Sequence, residues 1–357
     1  MSSPLVRGGL TTRAKALLVI ALVILTAASL HRLYWADLPG PIFEFSGPTM
    51  GTTFLVKVAA EDLSQEEHAE IARVIRERLV AVNGRMSNWD PGSEISRFNG
   101  HASMEPFRAS RELSNVIAAS LEVSEASGGA FDITIRPLVQ AWGFGDGARI
   151  TGGPNAAEIE LLLERVGWWR VRVQGEALVK SQPGVECDLS AIAKGYGVDA
   201  VSEDLVRLGY PEHLVEIGGE LRGRGRKLDG SPWRVAIEVP EPESRRSVHE
   251  VVPLAGWGMA TSGDYRNYYE RDGLRISHTI DPRDGRPIRH ALASVTVLAG
   301  EAMWADAWAT ALNVLGPEAG YALAEERALA AYFIIREKDG TFGSRETPAF
   351  TARRTRP

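Results

Sequence analysis

The sequence predicts an α+β fold: mixed or antiparallel sheets flanked by helices, in one large domain that follows an N-terminal membrane segment. Three observations predict it. Segments of helical and of strand periodicity are interleaved without regular alternation, hairpin patterns gather late in the chain, and no unit repeats at a fixed period. The 357 residues, 44% hydrophobic and 24% charged, have ordinary globular composition.

The N-terminus comes first. Residues 16 to 30, ALLVIALVILTAASL, form an apolar run preceded by Arg7, Arg13 and Lys15 and followed by Tyr34 and Trp35. Basic residues ahead of an apolar run keep the N-terminus in the cytoplasm, so the body is exported. Residues 1 to 35 then read as a cytoplasmic stub plus either an uncleaved anchor or a signal peptide cut near Ala27-Ala28-Ser29. We expect an inner-membrane protein with its body in the periplasm, or a periplasmic one if the segment is cleaved. The proline- and glycine-rich stretch 36 to 48 reads as a linker. The domain spans 49 to 350, and 351 to 357 is a basic tail.

Within the domain, TFLVKVAA (53 to 60) alternates and reads as a strand. Residues 65 to 86 place Ile71, Val74, Ile75, Leu79 and Val82 at helical spacing. A second helix covers 110 to 127 with Ser110 as its cap, and a third covers 155 to 168. SGGAFDITIRPL (127 to 138) reads as a helix end running through two glycines into an apolar strand. A hairpin turns at Gly175. Residues 191 to 209 form a helix ending at Gly209. From 213 to 300 the pattern is β, with a basic, glycine-rich turn between the first strands. MWADAWATALNVLG (303 to 316) is a buried helix, YALAEERA (321 to 328) another, and 330 to 345 a closing hairpin with Asp339-Gly340 at its turn.

Charge and cysteine content exclude some classes. Of the 40 basic residues, Arg7, Arg13, Lys15 and Arg32 lie in the first 35 positions, which hold no acid, so 36 face 46 acidic residues in the rest. So acidic a body is no general nucleic-acid binder. The single cysteine, Cys187, allows neither an internal disulfide nor a cysteine-built zinc site. Gly223-Arg224-Gly225 faintly suggests a dinucleotide loop, but it sits between strands with no helix opening behind it, so a hairpin with solvated arginines is the better reading.

Asp306 and Thr310 stand four residues apart in the buried helix, on one face and one turn from each other. A buried carboxylate is expensive without a partner. The alternative for Asp306 and Thr310 is a side-chain hydrogen bond back to the helix. Asp188 precedes a helix whose first turns hold Ala191, Ala193, Lys194 and Gly195; small residues and free N–H groups at a helix start suit phosphate, as they also suit a tightly packed cap.

Seven segments in order resemble the FAD:protein FMN transferase family, exported flavin transferases of the thiamine-biosynthesis lipoprotein type: TMGTTF (49 to 54), MSNWDPGSEISRFN (86 to 99), GGAFDITIRPLVQAWGFG (128 to 145), DLSAIAKGYGVD (188 to 199), EIGGELRGRG (216 to 225), SHTIDPRDGRPI (277 to 288) and ADAWATAL (305 to 312). The resemblance covers roughly 46 to 350. It implies that Met50, Trp89, Ala130, Phe131, Asp132, Asp188, Lys194 and Ile280 contact FAD. It also implies that the Ala191 carbonyl and the side chains of Asp306 and Thr310 bind Mg²⁺, an ion that prefers oxygen ligands and shares its shell with substrate phosphates. The activity implied is transfer of FMN from FAD to a threonine or serine hydroxyl of a target protein, with release of AMP. The acceptors implied are flavoprotein subunits of exported or membrane electron-transfer systems.

His278 is the candidate base, because imidazole titrates near neutrality, and Asp281 could orient it; the alternative is a strand histidine that orients a phosphate. Trp89 could stack on a flavin or adenine ring, or simply pack in the core. Arg97 and Arg136 read as structural or solvated charges. Two other functions use the same residues: an FAD pyrophosphatase giving FMN and AMP, and a non-enzymatic periplasmic FAD-binding protein.

Overall fold

The computed structural model describes residues 40–145, 153–239, 248–263, 268–271 and 274–354. The apolar N-terminal run lies outside them, and no helix of the described residues is long and apolar enough to cross a membrane.

The described residues open with strands β1 (Ile42–Thr49) and β2 (Thr52–Ala59), paired antiparallel from Ile42↔Ala59 to Thr49↔Thr52. Most of the stretch expected as a linker is thus an edge strand. Its proline and glycine have specific places there: a Cβ on Gly47 would sit 2.9 Å from the Phe54 ring, and Pro48 is tolerated because the strand is an edge. Met50 (φ 47°) and Gly51 (φ 72°) close the hairpin, both in the left-handed region that a two-residue turn needs.

Helix α1 (Gln65–Met86) begins with a capping box in which Ser64 Oγ accepts the Glu67 N–H and Glu67 accepts the Ser64 N–H. Its stripe of Ile71, Ile75, Leu79, Val82 and Met86 is buried. Helix α2 (Glu94–Gly100), capped by Ser93, has no counterpart in the periodicity reading. Next come β3 (Phe107–Arg108) and α3 (Arg111–Ala126), capped by Ser110.

The run expected as a strand after Gly128-Gly129 is instead a 3₁₀ turn (Ile133–Ile135) leading into α4 (Arg136–Ala141). Asp132 decides this: its Oδ1 accepts both the N–H (2.8 Å) and the hydroxyl (2.7 Å) of Thr134, which caps a helical turn against the β-branched preference of the sequence. Helix α5 (Ala156–Leu163) is shorter than the expected 155 to 168, because Gly167, at φ 146°, ends the segment in a 3₁₀ turn (Trp168–Arg170).

The hairpin around Gly175 is β4 (Val171–Gln174) and β5 (Ala177–Lys180), joined by β3 into a small sheet. Helix α6 (Ala193–Arg207) leads to β6 (His213–Ile217), β7 (Glu220–Arg224), β8 (Trp233–Glu238), β9 (Val248–Leu254) and β10 (Trp257–Gly263). Short pairs follow: β11 (Tyr268–Arg271) with β12 (Leu274–Ser277), and β13 (Ile280–Asp281) with β14 (Arg286–Pro287). Strand β15 (Leu292–Ala299), helix α7 (Ala302–Glu326), strands β16 (Ala330–Arg336) and β17 (Phe342–Glu346), and helix α8 (Pro348–Arg354) complete the chain. Part of the expected basic tail is therefore helix.

One antiparallel sheet organises the whole, in the order β1-β2-β6-β7-β10-β15-β16-β17. Helices α1, α6 and α7 pack on one face, burying Phe54, Val56, Ile75, Val215 and Ile217 at one end and Val295, Val297, Leu312 and Phe333 at the other. The β8–β9 hairpin and α8 cover the opposite face through Trp233, Leu254, Tyr332 and Phe350. Each such side chain contributes about 1.5–3 kcal/mol on burial.

Helix α7 joins the two expected helices across a break at Gly316 (φ 78°, ψ −174°). Pro317 has no N–H for the Asn313 carbonyl one turn back, and His290 Nε2–H donates to that carbonyl instead, at 2.8 Å. The segment ahead of the break carries Asp306 and Thr310 onto the helical layer.

Candidate active site

Two close approaches of α6 and α7 build the site. A Cβ on Gly195 would lie 2.4 Å from the Ala302 carbonyl oxygen, so only glycine lets the start of α7 cross the start of α6 here. Asp199, one turn further along α6, caps α7: Oδ1 accepts the Ala302 N–H (2.9 Å) and Oδ2 the Met303 N–H (2.8 Å). Arg222 of β7 donates to the same Oδ1 at 2.8 Å. Burial pushes the Asp199 carboxyl up to about 6, against the pull of Arg222 and the two amides. Arg222 is therefore half of a buried ion pair, not the solvated arginine expected of the glycine-rich turn.

This crossing brings Asp306 to the first turn of α6. Its side chain is 5% exposed, and Oδ2 accepts the Gly195 N–H at 3.0 Å. In a regular helix that amide would bond the carbonyl four residues back, at Ala191. Among the described residues no backbone amide reaches the Ala191 carbonyl, Asp306 Oδ1 accepts no hydrogen bond, and Thr310, half-buried one turn on, makes no bond back to its helix. Among the described residues, too, no three His, Cys, Asp or Glu side chains cluster as metal ligands. What the crossing offers is a mixed set of hard oxygens, a carboxylate, a hydroxyl and a carbonyl, and that is the donor chemistry Mg²⁺ takes. The residues fit the ion.

Charge around Asp306 is balanced by Lys194. Its Nζ lies 2.5 Å from Oε2 of Glu220, the first residue of β7 and only 4% exposed. Burial alone would lower the Lys194 pKa, but the carboxylates of Glu220 and Asp306 outweigh it and hold the ammonium above its ordinary value. Burial raises the Asp306 and Glu220 carboxyls, and the Lys194 ammonium opposes it at both.

The loop that presents Ala191 is held from a distance. Asn88 and Asn99 both donate to the Cys187 carbonyl (2.7 and 2.8 Å), Asn99 Oδ1 accepts the Cys187 N–H, and Asn88 Oδ1 accepts the Leu189 N–H. The Asp188 N–H then donates to the Ile133 carbonyl at 2.6 Å, which ties this loop to the Gly128–Asp132 turn. Asp188 Oδ1 itself accepts the Ser190 N–H. Asp132 Oδ2 accepts the Trp168 N–H at 2.7 Å, so both oxygens of its carboxylate are bonded within the fold. Ala130 and Phe131 are buried. Trp89, next to Asn88, is 64% exposed, so its ring is not spent on core packing. Met50 reaches α6 from the first hairpin, with its Cε 3.0 Å from where a Cβ on Gly197 would be.

Met50, Asp188, Ala191, Lys194, Asp306 and Thr310 thus converge on the two crossed helices, and Trp89, Ala130, Phe131 and Asp132 flank them through the Asn88 and Ile133 contacts. His278 and Ile280 belong to a neighbouring subcore. Ile280 is buried with Leu138 and Trp142, and the His278 ring sits 6.3 Å from that of Phe144. The turn after Asp281 returns to Gly129, where Arg283 Cγ lies 3.9 Å from the Cβ position. Asp281 does not orient His278: both its oxygens are taken by the Arg283 guanidinium two positions on. Arg136 is buried and paired with Glu186, as a structural charge would be. Periodicity missed Asn88, Asn99, Asp199 and Glu220. Each lies inside one of the seven ordered motifs, which is the only signal that pointed to them.

The model of the ApbE family matches residues 50–333. The chain belongs to the ApbE family. Among curated ApbE relatives, the "FAD:protein FMN transferase" of Vibrio cholerae is 42% identical over 320 residues, covering 89% of this chain and 94% of its own. That of Escherichia coli K12 is 38% identical over 308 residues, covering 85% and 87%. Among solved ApbE structures, the flavin transferase of Vibrio cholerae superposes with a TM-score of 0.81 at 39% identity, over 88% of this chain and 99% of that one. The apo flavinyl transferase of Pseudomonas stutzeri gives 0.81 at 39%, over 90% and 99%.

Proposed function

We propose that this flavin transferase of the ApbE family moves FMN from FAD to a threonine or serine hydroxyl of a target protein, releases AMP, and depends on Mg²⁺. The observation that carries the reading is the diverted Gly195 amide: by bonding Asp306 at 3.0 Å it leaves the Ala191 carbonyl and Asp306 Oδ1 available beside the Thr310 hydroxyl. Those three groups would hold the ion, and a bound Mg²⁺ would supply charge neutralisation to the diphosphate.

The protein's own residues do the rest. Lys194 sets a positive charge against the phosphates. Trp89 offers an exposed face for a ring to stack on. In the transfer, a bond forms between the acceptor oxygen and the FMN phosphorus as the bond from that phosphorus to the AMP oxygen breaks. AMP leaves with the electron pair, and the hydroxyl proton passes to His278. Such transfer is mostly positioning and electrostatics. We place the body in the periplasm, tethered to the inner membrane through residues 16 to 30 or released from it, where exported and membrane flavoprotein subunits are its acceptors.

The test is incubation with FAD and an acceptor protein, with and without Mg²⁺, reading acceptor flavin that survives denaturation and AMP released. Flavin on the acceptor, one AMP per flavin, and loss of both in Asp306→Ala support the reading. AMP at an undiminished rate without acceptor makes the protein a pyrophosphatase. FAD binding indifferent to Mg²⁺ with no AMP makes it a carrier.

A further inference from the structure

We propose that Glu220 is a positioning residue of this site: its buried carboxylate holds the Lys194 ammonium away from Asp306, so that Asp306 keeps its oxygens for the metal and Lys194 faces the diphosphate. The proposal rests on the function argued above for Asp306 and Lys194.

Glu220 is fixed by its own strand. Strands β6 and β7 meet at Gly218-Gly219, with φ 59° and 106°, and Glu216 Oε1 accepts the Gly219 N–H at 2.6 Å, which locks the turn. Glu220 is the next residue, in register opposite Ile217. Its Oε2 lies 2.5 Å from Lys194 Nζ and, among the described residues, has no other partner. The backbone of Lys194 is held by the neighbouring Gly195–Asp306 bond, but its four-carbon stem is flexible, and the stem passes 3.4 Å from the Cβ position of Gly218. Only a fixed counter-charge pins the end of such a stem.

Two carboxylates flank this lysine: Glu220 Oε2 lies 2.5 Å from its Nζ, and Asp306 accepts the N–H of the next residue, Gly195, at 3.0 Å. Glu220 holds it, and Asp306 accepts a hydrogen bond from the Gly195 N–H rather than from Lys194. Without Glu220, Lys194 turns to Asp306 and occupies the oxygen a cation needs. Stability is a weak reason for such a pair, because apolar residues of the same volume often serve as well. Its consequence is positional.

The experiment is a double-mutant cycle of Glu220→Gln and Lys194→Met in the full-length protein. It reads Mg²⁺ affinity by calorimetry and transfer by acceptor flavinylation. Glu220→Gln weakens Mg²⁺ binding about tenfold and slows transfer at least tenfold, and in the Lys194→Met background the same change alters either by less than twofold. Unchanged Mg²⁺ affinity in Glu220→Gln, or equal losses in both backgrounds, overturns the proposal. If Glu220→Gln does not fold, Lys194→Met and the double variant, which strand no buried cation, are compared directly: equal behaviour supports the proposal and a further loss overturns it. A wild-type protein that binds no Mg²⁺ fails the proposed function instead. The coupling is then read from metal-free FAD affinity by flavin fluorescence, where additive effects sink it and non-additive effects keep it.

Discussion

Gly195 and Asp306, 111 positions apart in sequence, are joined by a hydrogen bond of 3.0 Å from the amide of one to Oδ2 of the other. The bond exists because α6 and α7 cross at a distance only glycine permits. A methyl group at position 195 would meet the Ala302 carbonyl at 2.4 Å and Met303 Cα at 2.7 Å, both backbone atoms that cannot swing aside. Gly195→Ala therefore costs about 1–3 kcal/mol in overpacking and moves Asp306 off the α6 turn. Urea unfolding should show the loss together with weakened Mg²⁺ dependence of transfer; a variant with unaltered stability and activity would show that the crossing has slack.

Asp132 gives the fold an unusual response to acid. Burial, against the hydrogen bonds from Thr134 and Trp168, pushes its carboxyl up to about 6 from an ordinary 3.8. The folded protein therefore takes up this proton at a pH where the unfolded chain has released it. Asp132 makes the fold less stable as pH rises from about 4 to 6, by on the order of 3 kcal/mol, and adds no slope above that. The unfolding free energies of wild type and Asp132→Asn, measured from pH 4 to 7, should diverge by that amount across the window. Parallel curves would assign Asp132 an ordinary titration.

Trp89 is exposed, so its removal should leave the empty protein within about 0.5 kcal/mol of wild type. If an FAD ring stacks on it, Trp89→Ala weakens FAD binding by about 1–3 kcal/mol. Fluorescence titration with FAD decides this, and an unchanged affinity removes the ring from the site.

For His278, substitution by alanine should reduce transfer by about 10²–10⁴ while FAD still binds. Unchanged turnover removes the base role. A parallel loss of FAD binding would make the residue a phosphate or flavin contact instead.

The sequence made some of this legible and hid the rest for physical reasons. Helices α1 and α3 could be read because the apolar stripe of α1 and the Ser110 cap of α3 are local signals. Asp306 and Thr310 stood out because a carboxylate and a hydroxyl one turn apart interrupt an apolar helix. Strand β1 was hidden by Gly47 and Pro48, whose roles depend on Phe54 and on an edge position. The turn at 133 to 135 was hidden by β-branched residues that Asp132 overrules. Asn88, Asn99 and Glu220 carry no local mark at all: Asn88 and Asn99 hold a backbone about 90–100 residues away, and Glu220 meets a lysine on another element. In place of the pairing expected between Asp281 and His278, the Arg283 guanidinium, two residues on, bonds both Asp281 oxygens.

The break at Gly316–Pro317 divides α7 into two levers. The front one is clamped at its head by Asp199 and at its foot by His290, and the rear one lies under the far strands of the sheet. Sequence drift behind the break can thus be absorbed at the joint, so the geometry around Asp306 is insulated from wear in the distant half of its own helix.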